Sequence, residues 1–180
     1  MEIKISTKQI LNVLYILSWI IFIGLCIEAG SLILNPFLSL LFNLDNSGYF
    51  GLDNLYAFDH GHFYVQLLLV SIPAIMKTLL FYLIVKILKN KKLNISNPFN
   101  REMGQFVFNV SYLSFGISIF SSWGVKYSKW LGTQGVKMPD IQSLNIDGAD
   151  VWLFMSVTLF VIAQIFKRGI EIQSENDLTI

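Results

Sequence analysis

The sequence predicts an all-α integral membrane protein, a four-helix bundle with both termini in the cytoplasm. Three observations support this fold class: the large apolar share, four long apolar segments, and the placement of lysine and arginine. Apolar residues make up 54% of the 180 residues and charged residues only 14%, which is too apolar for an ordinary soluble domain. The net charge of +1 gives no reason to expect direct binding to nucleic acid, and we expect none.

The connection between the second and third apolar segments holds the densest group of basic side chains. They are Lys89, Lys91, Lys92 and Arg101. Short connections rich in Lys and Arg stay on the cytoplasmic side of a membrane. We therefore place residues 89–102 in the cytoplasm and expect a multi-pass protein of the bacterial cytoplasmic (inner) membrane. No repeat or linker divides the chain, so residues 1–180 form a single membrane domain.

Four apolar segments are long enough to cross the membrane. The predicted spans are residues 10–34, 63–88, 103–123 and 151–166. The first lacks a small-residue cleavage site after it, so we expect it to remain as an anchor and not to be removed as a signal peptide. Pro36 is expected to break or kink the helix and leave an interfacial extension. Pro73 is expected inside the second span.

The two connections on the opposite side carry acidic residues, and the first also carries aromatic residues. We predict outer loops at residues 45–62 and 131–150 and a cytoplasmic tail at 167–180. The first outer loop contains no Lys or Arg, which indicates an external position. Aromatic side chains in the first outer loop suit the headgroup layer of the membrane.

The third span has a start signal and a small-residue face. Ser96 or Asn97 is predicted as the helix cap, with Pro98 at the first helical position. Serines recur at helical spacing along the span. They are Ser111, Ser114, Ser118 and Ser121 or Ser122. Small side chains let neighbouring helices approach closely, so this face predicts a packing seam, with a polar conduit as the alternative.

Glu28 and Lys77 are ionisable groups inside predicted spans, where charge is costly and faces a partner or a cavity. Glu28 is expected toward the outer end and Lys77 nearer the middle, and lysine reaches part of that gap by snorkelling. A structural ion pair is the first interpretation. The alternative is an ion or substrate pathway in a small oligomeric transporter or channel, in which Asn109 and Gln164 would also line the route.

Asp59, His60 and His62 raise the question of a metal site, because imidazole and carboxylate bind zinc. Their spacing carries no diagnostic pattern, and we favour an exposed interfacial loop without metal. Enzyme motifs are absent from the sequence: no His-Glu-x-x-His, no phosphate-binding glycine loop and no Gly-x-Ser-x-Gly elbow. We expect no enzymatic activity and no cofactor.

Two stretches resemble a known family. Asn97-Pro-Phe-Asn100 precedes the third span, and the segment from Ala163 through Lys-Arg-Gly169 to Leu-Thr-Ile180 closes the chain. Both resemble the bacterial four-span family called domain of unknown function 2975, DUF2975, which favours Ser at the position of Asn100 and an acid at that of Gln164. The resemblance implies a membrane component of a regulatory pair whose other member is a small helix-turn-helix regulator.

These observations predict a non-enzymatic membrane regulatory or interaction component. Its partners are the lipid bilayer, a cytoplasmic protein such as the small helix-turn-helix regulator, and a second copy of itself in a homo-oligomer. A toxin-immunity protein belongs to the same non-enzymatic class. The expected cytoplasmic contact surface comprises Lys89, Lys91, Lys92, Arg101, Lys167, Arg168, Glu171, Glu175 and Asp177.

Overall fold

The computed structural model describes residues 7–42, 51–89 and 100–177, and these ranges contain helices and no strand. The helices are α1 (Thr7–Phe42), α2 (Asp53–Phe58), α3 (His60–Lys89), α4 (Arg101–Thr133) and α5 (Ala149–Asp177). All but the short α2 are long and apolar enough to cross a membrane. The predicted all-helical, four-span fold class is therefore confirmed.

The four long helices run antiparallel to their neighbours, with α4 packed against both α3 and α5 and with α1 packed against α3. The hydroxyl of Thr78 on α3 donates to the carbonyl oxygen of Leu25 on α1 at 3.2 Å. On α4, Gly116 leaves room for the side chain of Met76 on α3, which a Cβ at this position would overlap. The start of α1, the end of α3, the start of α4 and the end of α5 share one end, which we call the basic end.

The serines of α4 form the predicted packing seam. Ser111 donates to the carbonyl oxygen of Ser156 at 2.8 Å, and Ser118 donates to that of Ala149 at 2.7 Å. Ser114 and Ser121 are fully buried on the same face. Hydroxyls bonded to the backbone of α5 hold the two helices close, as small residues do between membrane helices.

The start of α4 differs from the prediction. Asn100 has extended dihedral angles, φ −114° and ψ 156°, and its side chain accepts a hydrogen bond from the Met103 N–H at 2.7 Å. Asn100 is therefore the N-cap and Arg101 the first residue of α4, whereas the predicted cap, Ser96 or Asn97, and Pro98 lie outside the described residues. Asparagine is among the best caps because its short side chain reaches the free N–H groups.

Three helices also extend beyond the predicted spans. The first continues through Pro36 to Phe42, so of the expected break or kink the break is excluded, and the expected extension is helical. The third continues past Trp123 to Thr133, and the fourth runs through Gly169 to Asp177. At the ends of α4 and α5, polar residues lower the hydropathy without ending the helix.

Because Ser118 is bonded to the first residue of α5, the part of α4 after Ser118 projects about 22 Å beyond the start of α5. This part packs with the first turns of α3 and with the connection to α5, and Leu55 of α2 belongs to the same core. We call residues 51–74 and 119–148 the head. Its core includes Leu55, Leu131, Leu144 and Ile146, all at most 2% exposed. The predicted outer loops are thus largely folded: α2 and the start of α3 lie within 51–62, and 45–50 are outside the described residues.

Below the head, a second core joins α3, α4 and α5 around Leu80, Val110 and Ile117. The outward faces of α1 and α5 are covered with exposed large apolar side chains. Examples are Ile16, Ile20, Ile27, Phe154, Val157 and Ile165. In water such a surface would be unfavourable, whereas lipid chains cover it at no cost. The chain is a multi-pass membrane protein.

Candidate functional site

Glu28 and Lys77 meet through a third residue, Asn145, in the connection before α5. The Lys77 Nζ donates to the backbone carbonyl of Asn145 at 2.7 Å, and the Asn145 Nδ2 donates to Glu28 Oε1 at 2.9 Å. We call these three residues the latch. Asn145 has φ 53°, in the left-handed region that asparagine tolerates better than most residues. The expected direct ion pair is thus replaced by a bridge through one amide residue.

The latch lies at the junction of the head and the apolar bundle. The Lys77 Nζ is 6.0 Å from the ring centroid of Trp152, in the first turn of α5. Lys77 is the 18th of the 30 residues of α3, and its side chain reaches the connection before α5. Lys77 is about 25 Å from the start of α3. Because the first turns of α3 belong to the head, Lys77 is nevertheless level with the start of α5.

The polar residues proposed for a transport route are separated. Asn109 lines a groove between α3 and α4 near the basic end, together with Lys86 and Glu102. Gln164 is exposed on α5. Lys86, beside Asn109, lies nine residues or about 14 Å beyond Lys77 on α3, so Asn109 is distant from the latch.

In the head, Asp59 ends α2 and caps α3. Its backbone N–H donates to the Leu55 carbonyl, and its carboxylate accepts from the His62 N–H at 2.8 Å. This backbone hydrogen bond, aided by the nearby histidines, holds the pKa of Asp59 below its ordinary value of 3.8. The carboxylate therefore has a structural role at the junction of two helices.

The two histidines contact aromatic side chains. His62 Nδ1 lies 2.6 Å from the hydroxyl oxygen of Tyr127, and the ring of His60 is 4.3 Å from that of Tyr56. Within the part of the chain that the structure describes, no three His, Cys, Asp or Glu side chains are grouped as metal ligands would be.

The basic end presents an open groove between α4 and α5. Its volume is about 360 Å³, and it is lined by Arg101, Gly104, Gln105, Phe108, Lys167, Ile170, Glu171 and Ser174. Arg168 pairs with Glu171 at 3.1 Å on the outside of α5. Three predicted contact residues thus line one groove: Arg101, Lys167 and Glu171. Arg101 precedes the other two by 66 and 70 residues in the sequence.

The other predicted contact residues are not among the residues that line this groove. Some are exposed elsewhere, and the rest are not described by the structure. Lys89 is exposed at the end of α3, and Glu175 is exposed on α5. Lys91 and Lys92 lie outside the described residues, as does the side chain of Asp177.

Sequence reasoning missed Asn145 and Gln66. Gln66 on α3 is 0% exposed, and both polar atoms of its side chain lack a hydrogen-bond partner among the described groups. The only signal for Asn145 was its position between Leu144 and Ile146, two apolar residues that the structure buries in the head. Gln66 gave no signal, because one glutamine in an apolar segment is compatible with many positions.

A family comparison covers most of this architecture. Residues 48–180 match the family described as proteins of unknown function, DUF2975. The chain belongs to the DUF2975 family. The matched region contains α2 to α5, with the head, the basic-end groove and two latch residues, whereas α1 and Glu28 precede it. No curated protein and no solved structure matches the DUF2975 chain in the other two comparisons.

Both stretches that resembled DUF2975 have a structural role here. Asn100 caps α4, and serine, the residue that the family favours there, would cap it equally well. Ala163 is 0% exposed on α5, and Ile170 approaches Gly104 across the groove. Residues of these two stretches therefore position α4 and α5 at the basic end, which we predict to be cytoplasmic.

Proposed function

We propose that this DUF2975 protein is a non-enzymatic regulatory component of the bacterial cytoplasmic membrane. In this proposal the head responds to a stimulus or protein outside the cytoplasm, and the basic end binds a soluble regulator inside. The observation that carries the proposal is α4, one uninterrupted helix that reaches from the head at Thr133 to the basic end at Arg101.

A continuous helix supports this function because it moves as a rigid element. The head end of α4 contributes Leu131 to the head core, and its other end lines the basic-end groove with Arg101. A displacement of the head would therefore tilt or shift the groove, provided that the helix has two arrangements of similar free energy. The latch joins the head to α1 and α3. In this proposal, making or breaking the latch would favour one of the two arrangements over the other.

The last turns of α5 support a protein contact at the basic end. After the apolar part ends at Phe166, the helix continues for 11 residues to Asp177, about 16 Å. Exposed side chains of both signs cover this extension, among them Lys167, Arg168 and Glu175. A mixed-charge helix suits an electrostatically complementary protein surface. We propose a small helix-turn-helix regulator as that partner.

Transport has less support. A route through the protein requires its polar groups to line one passage, and Asn109 and Gln164 are exposed at places distant from the latch. The latch itself satisfies its charged groups with an amide and a backbone carbonyl, which is a structural arrangement.

Affinity purification from native membranes in mild detergent, followed by mass spectrometry, tests the proposal. The full chain is compared with a truncation after Glu171, which keeps the Arg168–Glu171 ion pair and the contact of Ile170 with Gly104. A Lys126→Gln, Lys129→Gln variant, altered only in exposed residues of the head, is the control.

The proposal predicts that a soluble protein with a DNA-binding domain is recovered with the full chain and the control and is lost with the truncation. Recovery of copies of this chain alone would contradict it. In that case solute flux in liposomes would become the next test.

A further inference from the structure

We propose that the groove between α4 and α5 at the basic end is a binding site for an anionic phospholipid of the adjoining leaflet. Arg101 and Lys167 would bind the headgroup phosphate, and the apolar wall of the groove would hold the start of an acyl chain. This inference depends on the membrane-spanning fold and not on the proposed regulator.

The charges in the groove favour an anion. Glu171 is the one acid among the lining residues, and Arg168 already pairs with it at 3.1 Å. Among the described residues, Arg101 and Lys167 have no ion-pair partner. Two basic side chains thus face the same groove without an opposing charge, and basic pockets between membrane helices recognise lipid headgroups.

Neutral polar groups complete the headgroup part of the groove. Gln105 offers a carboxamide donor, and arginine offers a planar set of donors that matches two phosphate oxygens. The Ser174 hydroxyl donates to the Glu171 carbonyl at 2.7 Å, so it is a lesser candidate for binding the phosphate.

The other wall of the groove is apolar and continues along the lipid-facing surface. Gly104, Phe108 and Ile170 line the groove. From Phe108 an aromatic surface continues toward the head, with ring centroids 5.8 Å from Phe160 and 6.3 Å from Tyr112. A soluble phosphate would use only the basic side chains, whereas a phospholipid would use the basic side chains and this apolar surface together.

Native mass spectrometry of the full chain in mild detergent tests the site. Phosphatidylglycerol and phosphatidylcholine with identical acyl chains are titrated separately, and inorganic phosphate is added as a competitor in a third series. The test variant is Arg101→Gln, Lys167→Gln. A charge-retaining variant, Arg101→Lys, Lys167→Arg, and the head variant Lys126→Gln, Lys129→Gln are the controls.

We expect phosphatidylglycerol to bind more tightly than phosphatidylcholine and the test variant to bind it roughly 25-fold more weakly, about fivefold per charge removed. The head variant should bind it within about twofold of the unmodified chain, and the charge-retaining variant should bind it more tightly than the test variant, which separates lost charge from lost fold. Equal binding of both lipids, or unchanged binding by the test variant, would overturn the proposal. Displacement of the lipid by millimolar inorganic phosphate would also overturn it, because the ligand would then be a soluble anion.

Discussion

The carboxamide of Asn145 donates a hydrogen bond of 2.9 Å to the carboxylate of Glu28, which lies 117 residues earlier in the chain. This bond ties the connection before α5 to α1. The backbone carbonyl of the same asparagine accepts from Lys77, so one residue connects the head to two membrane helices. The latch thus explains how two costly charges are accommodated at the edge of the apolar bundle.

Replacing Asn145 with alanine should destabilise the head. The change removes the hydrogen bond to Glu28 and places a less suitable residue at φ 53°, and together these effects cost about 1 to 2 kcal/mol. Thermal unfolding in detergent, followed by circular dichroism, measures the change. Gln142→Ala, in an exposed residue of the same connection, should leave the melting temperature unchanged. Equal melting temperatures for the two variants would contradict the latch.

Glu28 and Lys77 should be coupled through Asn145. Single and double substitutions, Glu28→Gln and Lys77→Met, should give effects on stability that differ from additivity by about 0.5 to 1 kcal/mol. In an Asn145→Ala background this coupling should shrink, because the carboxamide bridge is absent. Additive effects in the unmodified chain would show that the two charges act independently.

Gly116 on α4 leaves room for the flexible end of the Met76 side chain on α3. A methyl group there would force this side chain to move aside, so Gly116→Ala should leave the protein about 1 kcal/mol less stable than the matched substitution at a glycine with open space around it. Gly132 on the same helix has open space around it, and Gly132→Ala should be neutral or stabilising by up to about 1 kcal/mol. Chemical unfolding of both variants in the same detergent compares them. The account is contradicted if Gly116→Ala is the more stable variant.

The cap formed by Asp59 should weaken in acid. Its pKa is lowered in the folded protein, so its stabilising effect is complete above the ordinary pKa of 3.8 and is lost as the pH falls through the folded value. Asn at this position caps a helix without titrating. The melting temperature of the unmodified chain should therefore fall more between pH 5 and pH 3 than that of Asp59→Asn. Parallel curves for the two proteins would refute this role.

Much of the fold follows from the sequence because membrane spans are encoded by local composition. The four apolar segments, the buried serines of α4 and the presence of Glu28 and Lys77 inside apolar helices all depend on patterns within a single helix. The limits of α4 and α5 could not be predicted in this way. Their last turns are polar, and it is the packing of Leu131 in the head core that continues α4 to Thr133.

The candidate sites were less accessible to sequence reasoning, because their members are distant in the chain. Arg101 and Lys167 line the same groove because α4 and α5 pack antiparallel, with Gly104 close to Ile170. Asn145 reaches Glu28 only because the connection folds back from the tip of the head to the start of α5. Neither relationship has a fixed spacing in the sequence.

Site-specific photocrosslinking in living cells tests the central claim, a soluble partner at the basic end, most directly. A photoreactive amino acid is placed at Glu175 on the last turns of α5 or at Lys129 in the head, both exposed in the structure. The account predicts a crosslink from Glu175 to a soluble DNA-binding regulator and no such crosslink from Lys129. Crosslinks from Glu175 only to lipid or to copies of this chain would contradict it.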